Sequence, residues 1–194
     1  MNQALKVSAS VSVEDYLERE KYCEIRHEFV NGEVFSMAGE SKFHNLIVGN
    51  LYVALRRHLR DKPSCRVFME SVKTQVRSDQ EVRYFYPDLQ VSCESSALSE
   101  YYESAPKLVI EVLSPSTERF DRADKFYAYR KLPSLEEYVL VAQDTPRVEV
   151  YRLVNQWELE LYTEMSMVVA LDSVGFSLKL INIYEDIVFD ESNN

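Results

Sequence analysis

One glutamate constrains this chain more than any other residue. Glu111 is the only charge between Leu108 and Leu113, in a run apolar enough to be buried on both faces. A buried carboxylate costs several kcal/mol unless it is paired or binds a cation. The run therefore reads as a central strand, and the rest of the fold must bring something to compensate it. Two nearby segments can do so. Tyr86-Pro87-Asp88 lies at an apparent strand upstream, and Lys125 lies on an apparent helix downstream, four residues after Asp121.

The chain is 194 residues long, a usual size for one compact domain. We read 1–12 as a flexible tail, 13–189 as a single domain and 190–194 as a second tail. With 46% apolar residues, thirteen Tyr and nine Phe, a large core can be filled. No apolar run reaches the length of a membrane span, and the first residues hold no long apolar segment of the signal-peptide kind, so the cytoplasm is the expected location. Cys23, Cys65 and Cys93 are widely spaced and odd in number, which argues against a disulfide framework or a zinc site. Cys93 is expected to pack as a small core residue at a strand end. A net charge of −10 argues against general nucleic-acid affinity but leaves room for local basic patches. One candidate is Arg56-Arg57-His58-Leu59-Arg60; the other gathers Arg119, Arg122, Lys125, Arg130 and Lys131. Each can equally be a solvated helix face.

In chain order, Ser12 starts a short helix over 13–20, and Asn31-Gly32 joins two strands as a hairpin, since its turn needs positive φ at both positions. Phe43, Ile47, Leu51, Leu55 and Leu59 form the apolar stripe of a helix over 41–60 with Ser41 as N-cap. Strands follow at 65–69, 71–77 and 85–93. In the last of these, Asp88 falls on the more polar face with Tyr86, Gln90 and Ser92. A polar loop leads to the Glu111 strand, 107–113. Asp121 reads as the N-cap of a helix to 131. Strands at 137–142, 147–153, 157–162, 167–171 and 176–178 and a helix over 180–187 complete the pattern. The fold class is α/β (α+β) around one mixed sheet.

Two carboxylates on adjacent strands can offer oxygen ligands to one hard divalent cation, and Mg²⁺ suits such a pair. The metal would polarise a phosphoryl oxygen, and a nearby Lys would orient the nucleophile or stabilise developing charge. Each candidate also has a structural reading. Asp88 can close a turn after Pro87. Glu111 can pair with Lys107 or an Arg. Lys125 can form an ordinary helix salt bridge to Asp121. His44, in the first turn of its helix, can assist or merely pack. Glu28 can approach from the hairpin. His27 and His58 read as surface residues.

Taken together, these motifs resemble the PD-(D/E)XK nuclease superfamily and, more closely, the Uma-two-type family of proposed restriction endonucleases. The residues that carry the resemblance are Arg26-His-Glu28, Asn31-Gly32-Glu33, His44-Asn45, Gly49-Asn50-Leu51, Tyr86-Pro-Asp88, Ile110-Glu-Val-Leu-Ser-Pro-Ser-Thr117 and Asp121 with Lys125 and Tyr129. It covers roughly residues 13–189. The resemblance implies a restriction-endonuclease-like core, α-β-β-β-α-β, with an added N-terminal hairpin and C-terminal β extension; 65–77, 85–93 and 107–113 would be its first three strands. It implies a DNA endonuclease using Mg (or Mn). Asp88, Glu111 and the backbone carbonyl of Val112 would hold the metal, and Lys125 would be catalytic with them. His44 and Glu28 would be accessory, and Arg119, Arg122 and Arg130 would contact DNA. It also implies a homodimer. The usual lysine two residues after the glutamate is Leu113 here, so Lys125 would stand in for it. A catalytically inactive binding or assembly module, or a hydrolase of a smaller phosphoester, are the alternatives.

Overall fold

The computed structural model describes residues 6–8, 10–37, 39–79, 81–93 and 99–189. A strand β1 (Lys6–Ser8) precedes helix α1 (Val13–Glu20), which Ser12 caps by accepting from the Asp15 N–H. The hairpin β2 (His27–Val30) and β3 (Glu33–Ser36) turns at Asn31 and Gly32, whose φ values of 49° and 93° are those the Asn-Gly pair was expected to supply. Helix α2 (Lys42–His58) starts at Ser41 and buries Ile47, Val48, Leu51 and Leu55. Strands β4 (Arg66–Met69), β5 (Lys73–Arg77), β6 (Val82–Phe85) and β7 (Leu89–Ser92) follow. After β8 (Tyr102–Glu103) comes β9 (Leu108–Leu113), buried at every residue.

Two six-stranded sheets result. One runs β1-β3-β2-β6-β5-β8. The other contains β4, β7, β9, then β10 (Glu137–Ala142), β11 (Val148–Arg152) and β12 (Leu159–Tyr162). In the second sheet, β9 is antiparallel to β7 and parallel to β10. Strands β13 (Val168–Leu171) and β14 (Phe176–Lys179) form a small separate pair, followed by the helix α4 (Leu180–Ile183). The largest core packs α2 and α4 against the β9 sheet.

Several expectations are corrected. The strand read as 85–93 is two strands in different sheets. Pro87 has no N–H to give a ladder, and the chain crosses from one sheet to the other at Tyr86-Pro87-Asp88. The strands read as 65–69 and 71–77 also part company: β4 stays in the core sheet and β5 joins the hairpin sheet, with a turn at Glu70 (φ 43°) between them. Lys6–Ser8, inside the segment read as a tail, pair with β3 as an edge strand. The last helix stops at Ile183, short of 187. Cys65 and Cys93 are disulfide-bonded, against the expectation of no disulfide and of Cys93 as a packing residue. The register Arg66↔Ser92 sets the two cysteines opposite each other, one step beyond that pair. Closing the loop between residues 28 apart is worth about 3.5 kcal/mol in the chain-entropy account.

The helix after β9 also starts earlier than expected. Glu118–Phe120, the wider π segment Asp121–Lys125 and Phe126–Tyr129 run as one helix, α3. Asp121 is therefore not an N-cap. It is a buried residue inside the helix, and four residues make nearly one full turn of a π segment, so Asp121 and Lys125 face the same way.

Candidate active site

The site forms where the two sheets meet, and the break at Pro87 creates it. With β6 ending at Phe85 and β7 beginning at Leu89, three residues must satisfy their backbone groups outside a ladder. The Tyr86 N–H donates to Glu28 Oε1 (3.2 Å), and the Asp88 N–H approaches Glu111 Oε2 (3.4 Å). The Asp88 carbonyl accepts from the Glu70 N–H at 3.1 Å. Pairing of β7 with β9 ends at Leu89↔Ile110, so the Val112 N–H has no strand partner on that side. Asp88 Oδ2 takes its place and accepts that N–H at 2.6 Å.

Lys125 reaches the carboxylates and also Asp121. Its Nζ lies 3.1 Å from Glu28 Oε1 and 3.2 Å from both Glu111 Oε1 and Asp121 Oδ1. The inward and outward readings of this lysine are thus one arrangement, because Asp121 is itself turned inward. Glu111 is 2% exposed and Lys125 5%. Tyr129 donates to Glu111 Oε1 at 3.2 Å. His44, on the first turn of α2, sets Nε2 3.2 Å from Asp88 Oδ2 and 3.7 Å from Glu40 Oε2, while its buried Nδ1 has no hydrogen-bond partner among the described residues.

Three carboxylates, on Glu28, Glu111 and Asp121, thus gather around one ammonium, and Asp88 lies beside Glu111. Burial pushes the Glu111 carboxyl well above the usual carboxylate range, with Lys125 opposing the shift. Glu28 and Asp121 are raised for the same reasons. For Lys125, burial alone would lower the pKa, but Glu111, Glu28 and Asp121 outweigh it and hold the ammonium well above its ordinary value. His44 is also raised: burial lowers it, and the hydrogen bond and charge of Asp88 more than reverse this. The cluster is short of positive charge and opens to solvent only at Asp88. That residue lines a cleft of about 710 Å³ together with Arg26, Glu40, Lys42, Asn45 and Tyr86.

Of the arginines expected to contact DNA, Arg119 precedes the π segment of α3, Arg122 lies within it and Arg130 follows the helix. Arg119 and Arg130 are exposed, and Arg130 stacks over Phe126 and Trp157. Arg122 is held by Glu118 and Glu149. Lys107 pairs with Glu136 rather than Glu111. His27 and His58, read as surface residues, are half-buried and bonded: His27 Nδ1 to Glu20, His58 Nε2 to the Val174 carbonyl. Glu20, Cys23 and His27 bring possible ligand atoms within 4.8 Å of one another. Both Glu20 oxygens already accept hydrogen bonds, however, from the His27 N–H, His27 Nδ1 and the Tyr86 hydroxyl. Reading the sequence missed Asp121 and Tyr129 as members of the site. Their i+4 and i+8 spacing on one helix face, ending at Lys125 and Tyr129, was the available signal.

A family model described as "Uma2: Putative restriction endonuclease" matches residues 13–181. Two uncharacterized proteins of Synechocystis sp. (strain ATCC 27184 / PCC 6803 / Kazusa) are similar over most of their length. One, slr1290, is 33% identical over 181 residues, covering 92% of this chain and 94% of that protein. The other, sll1609, is 35% identical over 150 residues, covering 75% of this chain and 83% of that protein. Among solved structures, a protein of Anabaena variabilis ATCC 29413 described as "a putative nuclease belonging to DUF820" superposes with a TM-score of 0.74. It is 18% identical and covers 90% of this chain and 97% of that one, so the likeness is one of fold. The restriction-endonuclease-like α/β fold expected from the sequence is the fold observed. Among the described residues no helix is long and apolar enough to cross a membrane.

Proposed function

The chain belongs to the Uma2 family, and from that premise we propose that it is a metal-dependent endonuclease that hydrolyses phosphodiester bonds in DNA. The observation that carries this reading is the convergence of Asp88, Glu111 and Lys125 from a sheet junction, a central strand and a π segment. In this reading Asp88 and Glu111 hold Mg²⁺ or Mn²⁺, and the Val112 carbonyl is a third donor. A strand residue turns its N–H and C=O to the same neighbour, and the Val112 N–H already faces Asp88. The donors fit such an ion. They are hard oxygens, Glu111 Oε2 has only the long contact to the Asp88 N–H, and the surrounding charge is negative. When bound, the ion would polarise the phosphoryl oxygen and lower the pKa of a bound water.

The remaining roles belong to the protein's own groups. Lys125 is kept as an ammonium by three carboxylates, so it acts as a hydrogen-bond donor and positive charge beside the attacking water, not as a base. Leu113, where the PD-(D/E)XK superfamily pattern has a lysine, is buried and apolar, so Lys125 is the cation that can serve Glu111. His44 is a positioning residue that holds Asp88, and Glu28 ties Lys125 to Tyr86. Arg119 and Arg130 are exposed and would meet phosphates, and pairing two sites across a duplex favours a homodimer.

The test is Mg²⁺-dependent cleavage of plasmid and branched DNA by the wild-type chain and by Asp88→Ala. Cleavage by the wild type and none by the variant supports the assignment; equal cleavage removes Asp88 from the mechanism. A second reading, an inactive nuclease-fold module, draws on the closed contacts of Lys125 with Glu28, Glu111 and Asp121, which offset part of the buried charge without an ion.

A further inference from the structure

Helix α2 links two chemically opposite places. Its first turn touches Asp88 through His44, and its last turn opens onto a second cleft of about 340 Å³ lined by Arg56, Arg60, Lys62 and Arg66. The chain as a whole carries a net charge of −10, so four cations around one cleft stand out. Arg83, Arg122, Arg147 and Arg152 are each committed to a carboxylate. Among the described residues, no ion pair or hydrogen bond occupies the side chains of Arg56, Arg60 or Arg66, and all three are exposed. Lys62 is partly used, donating to the Val174 carbonyl at 2.9 Å. Unpaired guanidinium groups converging on a cleft match the bidentate geometry of phosphate.

The two clefts lie along one face of the helix. At 100° per residue, Lys42, Asn45, Gly49 and Arg56 fall within a narrow stripe, turned away from the buried stripe of Ile47, Leu51 and Leu55, and Arg60 follows on the 3-10 turn Leu59–Asp61. Lys42 and Asn45 line the Asp88 cleft; Arg56 and Arg60 line the basic one. Between them Gly49 has nothing within 4 Å of where a Cβ would stand, so the middle of the stripe is bare backbone beside open space. The same two ends are joined by β4, which runs from Arg66 at the basic cleft to Met69, next to the Glu70–Asp88 hydrogen bond. Twelve helical residues separate His44 from Arg56, or ~18 Å. At 3.4 Å per step along a duplex that is roughly 5 base pairs.

We propose that the cleft at the C-terminal end of α2 is a second contact for the phosphate backbone of DNA, placed about half a helical turn from Asp88 and reached along the Asn45–Gly49–Arg56 face. The inference rests on the nuclease reading for the identity of the ligand, and it adds a surface that the family's metal site does not include. An acidic stretch of polypeptide would be the other polyanion able to sit there; the position of the cleft on the same helix face as the Asp88 cleft favours the duplex that the nuclease reading places at Asp88.

The test is fluorescence-anisotropy titration of a labelled duplex two helical turns long, with the full chain and Ca²⁺ in place of Mg²⁺. Three proteins are compared: wild type, Arg56→Gln/Arg66→Gln, and Arg19→Gln/Arg77→Gln, which removes the same charge from exposed positions elsewhere. The expected result is a roughly tenfold weaker Kd for Arg56→Gln/Arg66→Gln, with the slope of log K against log salt shallower by about 2, and little change in the second variant. Equal affinity and slope in wild type and Arg56→Gln/Arg66→Gln would overturn the inference while leaving the nuclease reading intact. So would an equal loss in both variants, which is the effect of net charge alone, or loss of polyglutamate binding with no change for DNA. Duplex binding through these arginines without any Mg²⁺-dependent cleavage would instead remove the nuclease reading and keep the cleft.

Discussion

Two buried glutamates sit on neighbouring strands of the same sheet and have opposite surroundings. Glu137, at the start of β10, is closed: Oε1 accepts from Arg152 Nε (2.8 Å) and the Asp172 N–H (2.9 Å), and Oε2 accepts from the Ser173 N–H (3.0 Å) and hydroxyl. Glu111, in the middle of β9, is open. Its Oε1 accepts from Tyr129 and shares Lys125 with Glu28 and Asp121, and its Oε2 has one long contact to the Asp88 N–H. Both are almost fully buried, at 1% and 2% exposure. Burial of a carboxylate therefore does not mark a reactive site. What distinguishes the two is how completely the fold supplies donors, and where the competing carboxylates lie: Glu160 and Asp172, which share Arg152 with Glu137, reach solvent, whereas Glu28 and Asp121, which share Lys125 with Glu111, are buried.

The largest expected difference is in activity. Glu111→Gln should lower Mg²⁺-dependent DNA cleavage by at least ~100-fold, while Glu137→Gln should keep the wild-type rate per folded molecule, as measured by initial rates on plasmid DNA at matched folded concentration. Loss of activity in both would erase the functional half of the contrast.

Stability should show the opposite ranking. Glu137→Gln leaves Arg152 buried without its full countercharge, so we expect a loss of ~3–5 kcal/mol, or roughly 10 °C in melting temperature. Glu111→Gln removes an ionised group that the fold disfavours, so in EDTA at neutral pH its melting temperature should match or exceed that of the wild type. Lys125→Met is the complementary change. It strands Glu28, Glu111 and Asp121 together and should cost about 3 kcal/mol at neutral pH, with the loss shrinking on acidification.

The pH dependence of the metal-free protein follows in sign. Glu28, Glu111 and Asp121 have folded pKa values above their ordinary ones, as does His44. Each such group favours the folded state below its unfolded pKa, and that contribution is lost as pH rises through the folded value. For the carboxylates the decline begins above the usual carboxylate range; for His44 it begins above its ordinary value of 6.5. Thermal melts in EDTA should therefore show stability falling from mildly acidic to alkaline pH, with a flatter profile in Glu111→Gln. The smallest effect belongs to His44→Gln. It loosens Asp88 without removing a ligand and should slow cleavage roughly tenfold, with the fold intact by circular dichroism.

Much of this contrast was legible in the sequence, and the illegible part has physical causes. Glu111 stood out because a charge interrupts a buried apolar run, and Asp88 because it follows Pro87 at a strand boundary. The helix stripe of α2 and the Asn31-Gly32 turn depend on local periodicity and local φ, so they were readable. Asp121 was misplaced because its spacing to Asp124 imitates a capping pattern, whereas Thr117 precedes the helix and a π segment shifts the turn. The Cys65–Cys93 bond depends on the register between β4 and β7, which no local signal carries. Glu137 drew no attention because its partners, Arg152 and Ser173, are brought to it by tertiary structure alone.

The central claim is that Glu111 is left open for a cation shared with Asp88. Calorimetric titration of the metal-free chain with Mn²⁺ and Mg²⁺ tests it most directly, with Glu111→Gln and Glu137→Gln in parallel. We predict millimolar or tighter binding to the wild type and to Glu137→Gln and its loss in Glu111→Gln. No binding to the wild type, or binding that survives Glu111→Gln unchanged, would contradict the account.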